Sequence, residues 1–398
     1  MGRAADKAGV FGLGRNVFAA GLVSLLMDVS SEMIYPLVPL FLANVLGVNK
    51  ALIGAIEGVA ESTASVLRVF SGWFSDRIGR RKGLMAAGYS VSTLSRPIIA
   101  LAPTWRWVLG YRFVDRLGKG VRTAPRDAII AESTDMSVMG RAFGFHRGMD
   151  TVGAVAGPGI AFYLLGLWAG DFRKVFWASM VPGAAAVLMI VLFITERKKA
   201  LPGRAEAPRP SFKRFDRRFK LFVLIAALFS LGNSSDVFLI LRAQQLGVST
   251  ATIPLIYLTF NLVYSLTAMP AGMAADRFGK KKVILIGFIL FALIYYGFGA
   301  ARSAGEAWLL FSLYGLFMGM TEGVQRAFLA EIIPAEFKAT AFGVYNTAVG
   351  LALLPASIIG GLLWDKAGPA ATFYYGAATA VVSAGLFAGL IMAENRSG

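Results

Sequence analysis

The 398-residue chain has no cysteine and a single histidine, His146. The first absence excludes disulfides, cysteine-ligated zinc and iron–sulfur clusters. The second excludes a histidine-rich metal site. Charge is scarce as well: 16% of residues are Asp, Glu, Lys or Arg, against about 25% in typical soluble domains. Acidic residues are the scarcer kind, with 23 against 40 Lys and Arg, for a net charge of +17. Hydrophobic residues make up 56% of the chain, and mean hydropathy is +0.63. These values exclude a disordered chain and argue against an ordinary soluble enzyme. The basic residues fall between apolar runs and form no contiguous arm. They therefore read as the cytoplasmic face of a membrane protein, not as a nucleic-acid site.

A bilayer-crossing helix needs about 20 predominantly apolar residues. Such runs occur at 16–44, 51–75, 83–102, 105–131, 141–166, 174–195, 219–245, 251–275, 282–301, 306–332, 339–364 and 370–392. They are numbered spans 1 to 12. The predicted fold is an all-α membrane protein with two six-helix bundles, residues 1–195 and 219–398. A basic, proline-containing cytoplasmic linker at 196–218 joins them. Span 1 is too long for a signal-peptide core, so it is expected to remain in the protein. Most Lys and Arg outside the spans fall on the side shared by the N-terminus, the linker and the C-terminus, which places both termini in the cytoplasm.

The two halves repeat each other in order. Leu46-Gly47-Val48 returns as Leu246-Gly247-Val248, and Asp76-Arg77 as Asp276-Arg277. Ala142-Phe143-Gly144 returns as Ala341-Phe342-Gly343, and Ser30-Ser31-Glu32 as Ser234-Ser235-Asp236. Parallel repeats with a site at their interface are a known transporter plan.

The loop after span 2 reads Gly72-Trp73-Phe74-Ser75-Asp76-Arg77-Ile78-Gly79-Arg80-Arg81. The loop after span 8 reads Gly272-Met273-Ala274-Ala275-Asp276-Arg277-Phe278-Gly279-Lys280-Lys281. Both fit G-x-x-x-D-R-x-G-[RK]-[RK], and the sequence resembles the major facilitator superfamily over essentially its whole length. The resemblance implies a conformational latch at Gly72, Asp76, Arg77, Gly79 and Arg80, and at Gly272, Asp276, Arg277 and Gly279. Span 5 carries Gly144, Gly153, Gly157 and Pro158, which resembles the helix-bending element of the family's antiporters, without its trailing glycine pair. Span 4 is similar to the family's arginine motif, with Arg116 where a glycine usually stands. The resemblance also implies that spans 1, 4, 7 and 10 line a cavity, that spans 2, 5, 8 and 11 form its sides, and that spans 3, 6, 9 and 12 face lipid.

Ionisable groups inside a bilayer usually face a cavity or a partner. The deepest here are Asp28 and Glu32 (span 1), Glu57 and Glu61 (span 2), and Arg112, Asp115, Arg116, Lys119 and Arg122 (span 4). His146, Arg147 and Asp150 (span 5), Asp236 (span 7) and Glu322 (span 10) complete the set. Arg96 on span 3 is the exception to the lining pattern, and either snorkels or pairs internally. Asp28 and Glu32 are the first choice for proton carriers. Structural pairing with the span-4 cations and direct substrate contact are the alternatives. The span-4 cations fit either a charge-pair gate or an anion site. Lys119 and Glu322 are a candidate pair between halves. His146 is a candidate proton relay or a structural hydrogen-bonder.

There is no GxxxxGK[ST] loop, so transport would be secondary, with no cofactor and the proton gradient as energy source. The expected function is a non-enzymatic, monomeric, proton-coupled antiporter of the inner or plasma membrane that exports a small molecule. Its partners are the substrate, protons and lipid, with no nucleic acid and no resident metal. The competing functions are a hard divalent-cation transporter using the span-1 and span-2 carboxylates, and an organic-anion transporter using the span-4 cations.

Overall fold

The computed structural model describes residues 14–78, 81–134, 138–196, 215–333 and 338–397. Among them every regular element is helical: α1 (Arg15–Glu32), α2 (Val38–Leu40), α3 (Lys50–Ile78), α4 (Arg81–Leu94), α5 (Arg96–Ala100), α6 (Trp105–Glu132), α7 (Met139–Leu167) and α8 (Phe172–Ala178). These are followed by α9 (Met180–Phe193), α10 (Arg217–Gly232), α11 (Val237–Gln245), α12 (Ile253–Phe278), α13 (Lys280–Ala300), α14 (Ala304–Glu331), α15 (Lys338–Ala367) and α16 (Pro369–Ser397). A 3-10 turn at Tyr35–Leu37 and a wider π-helical turn at Phe41–Val45 flank α2.

Several boundaries have a local cause. α1 stops at Glu32 because Pro36 has no N–H to return to the Glu32 carbonyl. Pro97 starts α5 and separates it from α4 in the same way. Gly279 joins α12 to α13 at φ +98, a backbone region that side chains disfavour. Asp216 caps α10 by accepting from the Phe219 amide at 2.8 Å.

Among the described residues, nine helical stretches are long and apolar enough to cross a bilayer. The remaining long segments, α3, α4 with α5, and α6, are the charged ones. α6 has 28 residues, which at about 1.5 Å each is long enough to span. Its string of arginines and aspartates keeps it from reading as apolar.

The chain divides into two compact units. Unit 1 holds residues 1–38 and 63–205, and unit 2 holds 39–62 and 206–398. The expected halves put 39–62 with the N-terminal bundle, whereas the contacts place it in unit 2. The reason lies in small residues. A Cβ on Gly54 would meet the Ser357 carbonyl oxygen at 2.2 Å, one on Gly58 the Leu354 Cα at 2.9 Å, and one on Gly361 the Lys50 oxygen at 2.5 Å. The start of α3 thus lies directly on α15. Asp365 of α15 accepts from the Lys50 and Ala51 amides at 3.2 and 2.8 Å. Ser62 donates to the Gly350 carbonyl at 2.9 Å.

In unit 1, α1 packs on α7 and α9, and α4 on α6. Val17, Ala20, Val23, Met27, Met85 and Ile130 form its aliphatic core. Unit 2 pairs α12 with α14 and α13 with α16, around stacked rings such as Phe229–Phe288 (4.3 Å) and Phe291–Tyr295 (4.0 Å). α6 and α14 are repeat equivalents at a shift of 199 residues, 105 to 304 and 132 to 331. Outer positions of α9, α13 and α16, including Leu188, Leu293 and Val381, expose apolar side chains. Lipid is the solvent that suits such surfaces.

Candidate functional site

The charged residues of unit 1 gather where α1, α6 and α7 meet. Gly153 and Gly157 of α7 make this approach possible. A Cβ at either glycine would sit 2.8 Å from the Cβ of Asp28 or of Glu32, respectively. Gly144 has open space around it, so the close packing needs two of the three motif glycines. Pro158 is buried within the continuous α7.

Asp28 is half-buried, and the charges that act on it come from Asp150 on α7 and from Lys119, Arg122 and Arg126 on α6. Asp150 Oδ2 lies 3.6 Å from His146 Nδ1. Asp150 Oδ1 is buried with no hydrogen-bond partner among the described residues. His146 Nε2 and Ser24 Oγ are hydrogen-bonded at 2.7 Å. Ser24 Oγ also lies 3.5 Å from the Tyr89 hydroxyl and 3.5 Å from Arg126 Nη1. Arg126 in turn holds Asp127 at 2.9 Å. A hydrogen-bonded path therefore runs His146, Ser24, Arg126, Asp127, with Asp150 beside its His146 end at 3.6 Å. Sequence reasoning named Asp150 and His146 and missed Ser24, Arg126 and Asp127. Arg126 and Asp127 continue the i, i+4 stripe of span 4, which was the available signal.

The α6 cations are engaged by the protein itself. Arg112 lies over the Tyr35 ring at 5.5 Å, and Arg122 over the Tyr89 ring at 4.4 Å. Arg116 Nη1 is 3.7 Å from Asp115 Oδ2. Lys119 and Arg147 are exposed. Arg96 pairs internally: it is fully buried, and its Nη2 lies 3.6 Å from Asp115 Oδ1.

The remaining carboxylates lie in unit 2. Glu57 is buried and Glu61 half-buried, and both act electrostatically on Asp236. Asp236 accepts from the Tyr314 hydroxyl at 2.9 Å. Glu322 accepts from the Tyr264 hydroxyl at 2.5 Å and from Arg326 at 2.9 Å. Among the described residues, no three His, Cys, Asp or Glu side chains converge as metal ligands.

Of the latch residues, Gly79 and Arg80 lie outside the described residues. Gly72, Asp76 and Arg77 are on the last turns of α3, where the backbone alone is described. In unit 2, Gly272 has open space around it, and Arg277 lies over the Phe278 ring. Asp276 is 78% exposed and 3.9 Å from Lys280. Lys280 reaches Glu331 at 3.0 Å, and in unit 1 Arg81 reaches Glu132 at 2.6 Å. The Glu331 carboxylate, as hydrogen-bond partner and as charge, pushes the Lys280 ammonium up from its ordinary value.

The model of the Major Facilitator Superfamily matches residues 20–241 and 222–397, together nearly the whole chain. The chain belongs to the Major Facilitator Superfamily. An uncharacterized MFS-type transporter of Methanocaldococcus jannaschii is 34% identical over 377 residues, 93% of this chain and 94% of that one. A multi-drug resistance efflux pump PmrA homolog of Lactococcus lactis is 24% identical over 358 residues, 87% of each chain. A crystal structure of a POT family transporter in complex with 5-aminolevulinic acid superposes with a TM-score of 0.82 at 15% identity, covering 95% of this chain and 96% of that one. At that identity the likeness speaks for the fold alone. This superfamily member is a multi-pass integral membrane transporter and not an enzyme.

Proposed function

We propose that this transporter is a proton-coupled antiporter that exports a small polar or charged molecule across the inner or plasma membrane by alternating access. In this reading the chain crosses the bilayer twelve times, both termini are cytoplasmic, and the monomer is the working unit. The three charged segments, α3, α4 with α5, and α6, join the nine apolar stretches as spans.

One observation carries the coupling. Asp28 shares its surroundings with a second carboxylate, Asp150, whose Oδ1 is buried without a hydrogen-bond partner among the described residues. Two carboxylates that share a few cations inside a bundle can hold or release one proton with small rearrangements. The path through His146 and Ser24 leads from this pair to Arg126 and Asp127. The likeness to the efflux pump PmrA homolog of Lactococcus lactis supports export.

The competing readings draw less support. Divalent-cation binding lacks a converging ligand set among the described residues. An anion site on α6 competes with the tyrosine rings and carboxylates that already hold Arg112, Arg116 and Arg126.

The test is proton flux in proteoliposomes loaded with a pH dye. Organic cations, organic anions and divalent metals are added in turn across an imposed gradient. Dissipation by one solute class is expected. Solute uptake or counterflow with no proton movement would overturn the antiport reading.

A further inference from the structure

The first helix of each half breaks at the same sequence element. α1 ends at Ser30-Ser31-Glu32, and α10 gives way to α11 across Ser234-Ser235-Asp236. Helix ends leave backbone groups without intrahelical partners. Short backbone bonds such as Ile34 N–H to the Ser31 oxygen and Phe238 N–H to the Ser235 oxygen bridge the breaks, and neighbouring side chains add to them.

In each unit one side chain from a neighbouring helix reaches this break. In unit 1 it is Arg96, whose Nη2 donates to Ser31 Oγ at 3.0 Å and whose Nη1 donates to the Tyr111 hydroxyl at 2.5 Å. Asp115 is its counter-ion at 3.6 Å. In unit 2 it is Tyr295, whose hydroxyl lies 3.4 Å from Asn233 Oδ1 and 3.5 Å from the Ser234 carbonyl oxygen. Tyr314 donates to Asp236 at 2.9 Å. The shift of 199 residues that relates α6 to α14 also carries position 96 onto 295 and position 115 onto 314. An arginine–aspartate pair in one half thus stands where two phenols stand in the other, and both reach the helix break.

We propose that Arg96 and Tyr295 are paired positioning residues, each of which holds the helix break that carries Glu32 or Asp236. Asp115 then serves as the counter-ion of Arg96 and not as a mobile carboxylate, because removing either partner strands a buried charge. The second half achieves the same tie without charge, so the ion pair is replaceable provided both members change together. The importance of the two breaks for transport rests on the antiport reading; their positioning does not.

Backbone hydrogen–deuterium exchange on the full-length protein in lipid nanodiscs tests this without substrate or gradient. Arg96→Gln is expected to speed exchange at residues 31–37 about tenfold, the size of one lost buried hydrogen bond. Tyr295→Phe is expected to speed exchange at 233–238 about threefold and to leave 31–37 unchanged. The double variant Arg96→Tyr with Asp115→Tyr is expected to bring 31–37 back towards wild type, while Arg96→Tyr alone does not. Unchanged exchange at 233–238 in Tyr295→Phe, or a double variant no better than the single, overturns the proposal. Should Arg96→Gln fail to fold, Tyr295→Phe and the double variant still decide. The expected exchange changes at both breaks beside a flat proton-flux assay would instead count against the antiport reading alone.

Discussion

Gly153 of α7 lies so close to Asp28 of α1 that a Cβ on the glycine would be 2.8 Å from the Asp28 Cβ and 2.7 Å from the Leu25 carbonyl oxygen. The backbone oxygen cannot swing away as a side chain can. Gly153→Ala is therefore expected to destabilise the protein by about 1–3 kcal/mol, the usual range for overpacking. Gly144→Ala and Gly148→Ala, with open space around them, are expected to unfold at the wild-type temperature. Thermal unfolding in detergent of the three variants checks the contrast.

Ser24 and His146 form the tightest link of the polar path, at 2.7 Å, and both are buried. Ser24→Ala leaves His146 Nε2 without that partner. A loss of about 1–3 kcal/mol is expected, as for a buried polar atom left unsatisfied. Because His146 is the single histidine, its imidazole resonances need no assignment. They are expected to shift in Ser24→Ala and to stay in place in Ser62→Ala, whose hydroxyl serves the Gly350 carbonyl.

The pair of Lys280 and Glu331 sits at the end of α14, at the surface. Glu331 raises the Lys280 ammonium, so the lysine is charged at every pH below its ordinary range of about 10.4, and the contact is lost only above its raised value. Spin labels across this contact are expected to report one distance from about pH 6 to pH 9. Glu331→Gln is expected to leave stability nearly unchanged, as exposed pairs do, and to bring the Lys280 titration down towards its ordinary value. A large fall in unfolding temperature would show that the contact carries more of the fold than its exposure implies.

Asp365 ties α15 to the start of α3 by accepting from two amides. Asp365→Ala is expected to cost about 1 kcal/mol, as loss of a capping group does. Asp365→Asn, which keeps an acceptor, should cost less. Chemical or thermal unfolding of the two variants separates capping from charge.

The helical architecture was legible because apolar runs of bilayer length announce themselves, and because Asp76-Arg77 and Asp276-Arg277 mark the same place in both halves. The approach of Asp28 to α7 was partly legible, through the glycine spacing of span 5. Other features depend on contacts that sequence spacing does not encode. Residues 39–62 group with the C-terminal half through Gly54, Gly58 and Gly361, whose partners lie some 300 residues away in sequence. Ser24 reads as an ordinary small residue on span 1 until His146 is brought to it across α7. Arg96 stood out as a charge on a span expected to face lipid, but its pairing with Asp115 and Ser31 needed the turn that Pro97 introduces between α4 and α5.

In the proposed antiport mechanism the Asp28 and Asp150 pair carries the coupled proton. The most direct measurement compares Asp28→Asn with wild type in proteoliposomes, using the solute that dissipates the pH gradient in the panel. Gradient-driven transport and solute counterflow are recorded on the same vesicles. Asp28→Asn is expected to lose gradient-driven transport and keep counterflow, because a solute can still exchange when no proton moves. Gradient-driven transport at the wild-type rate in the variant would contradict it.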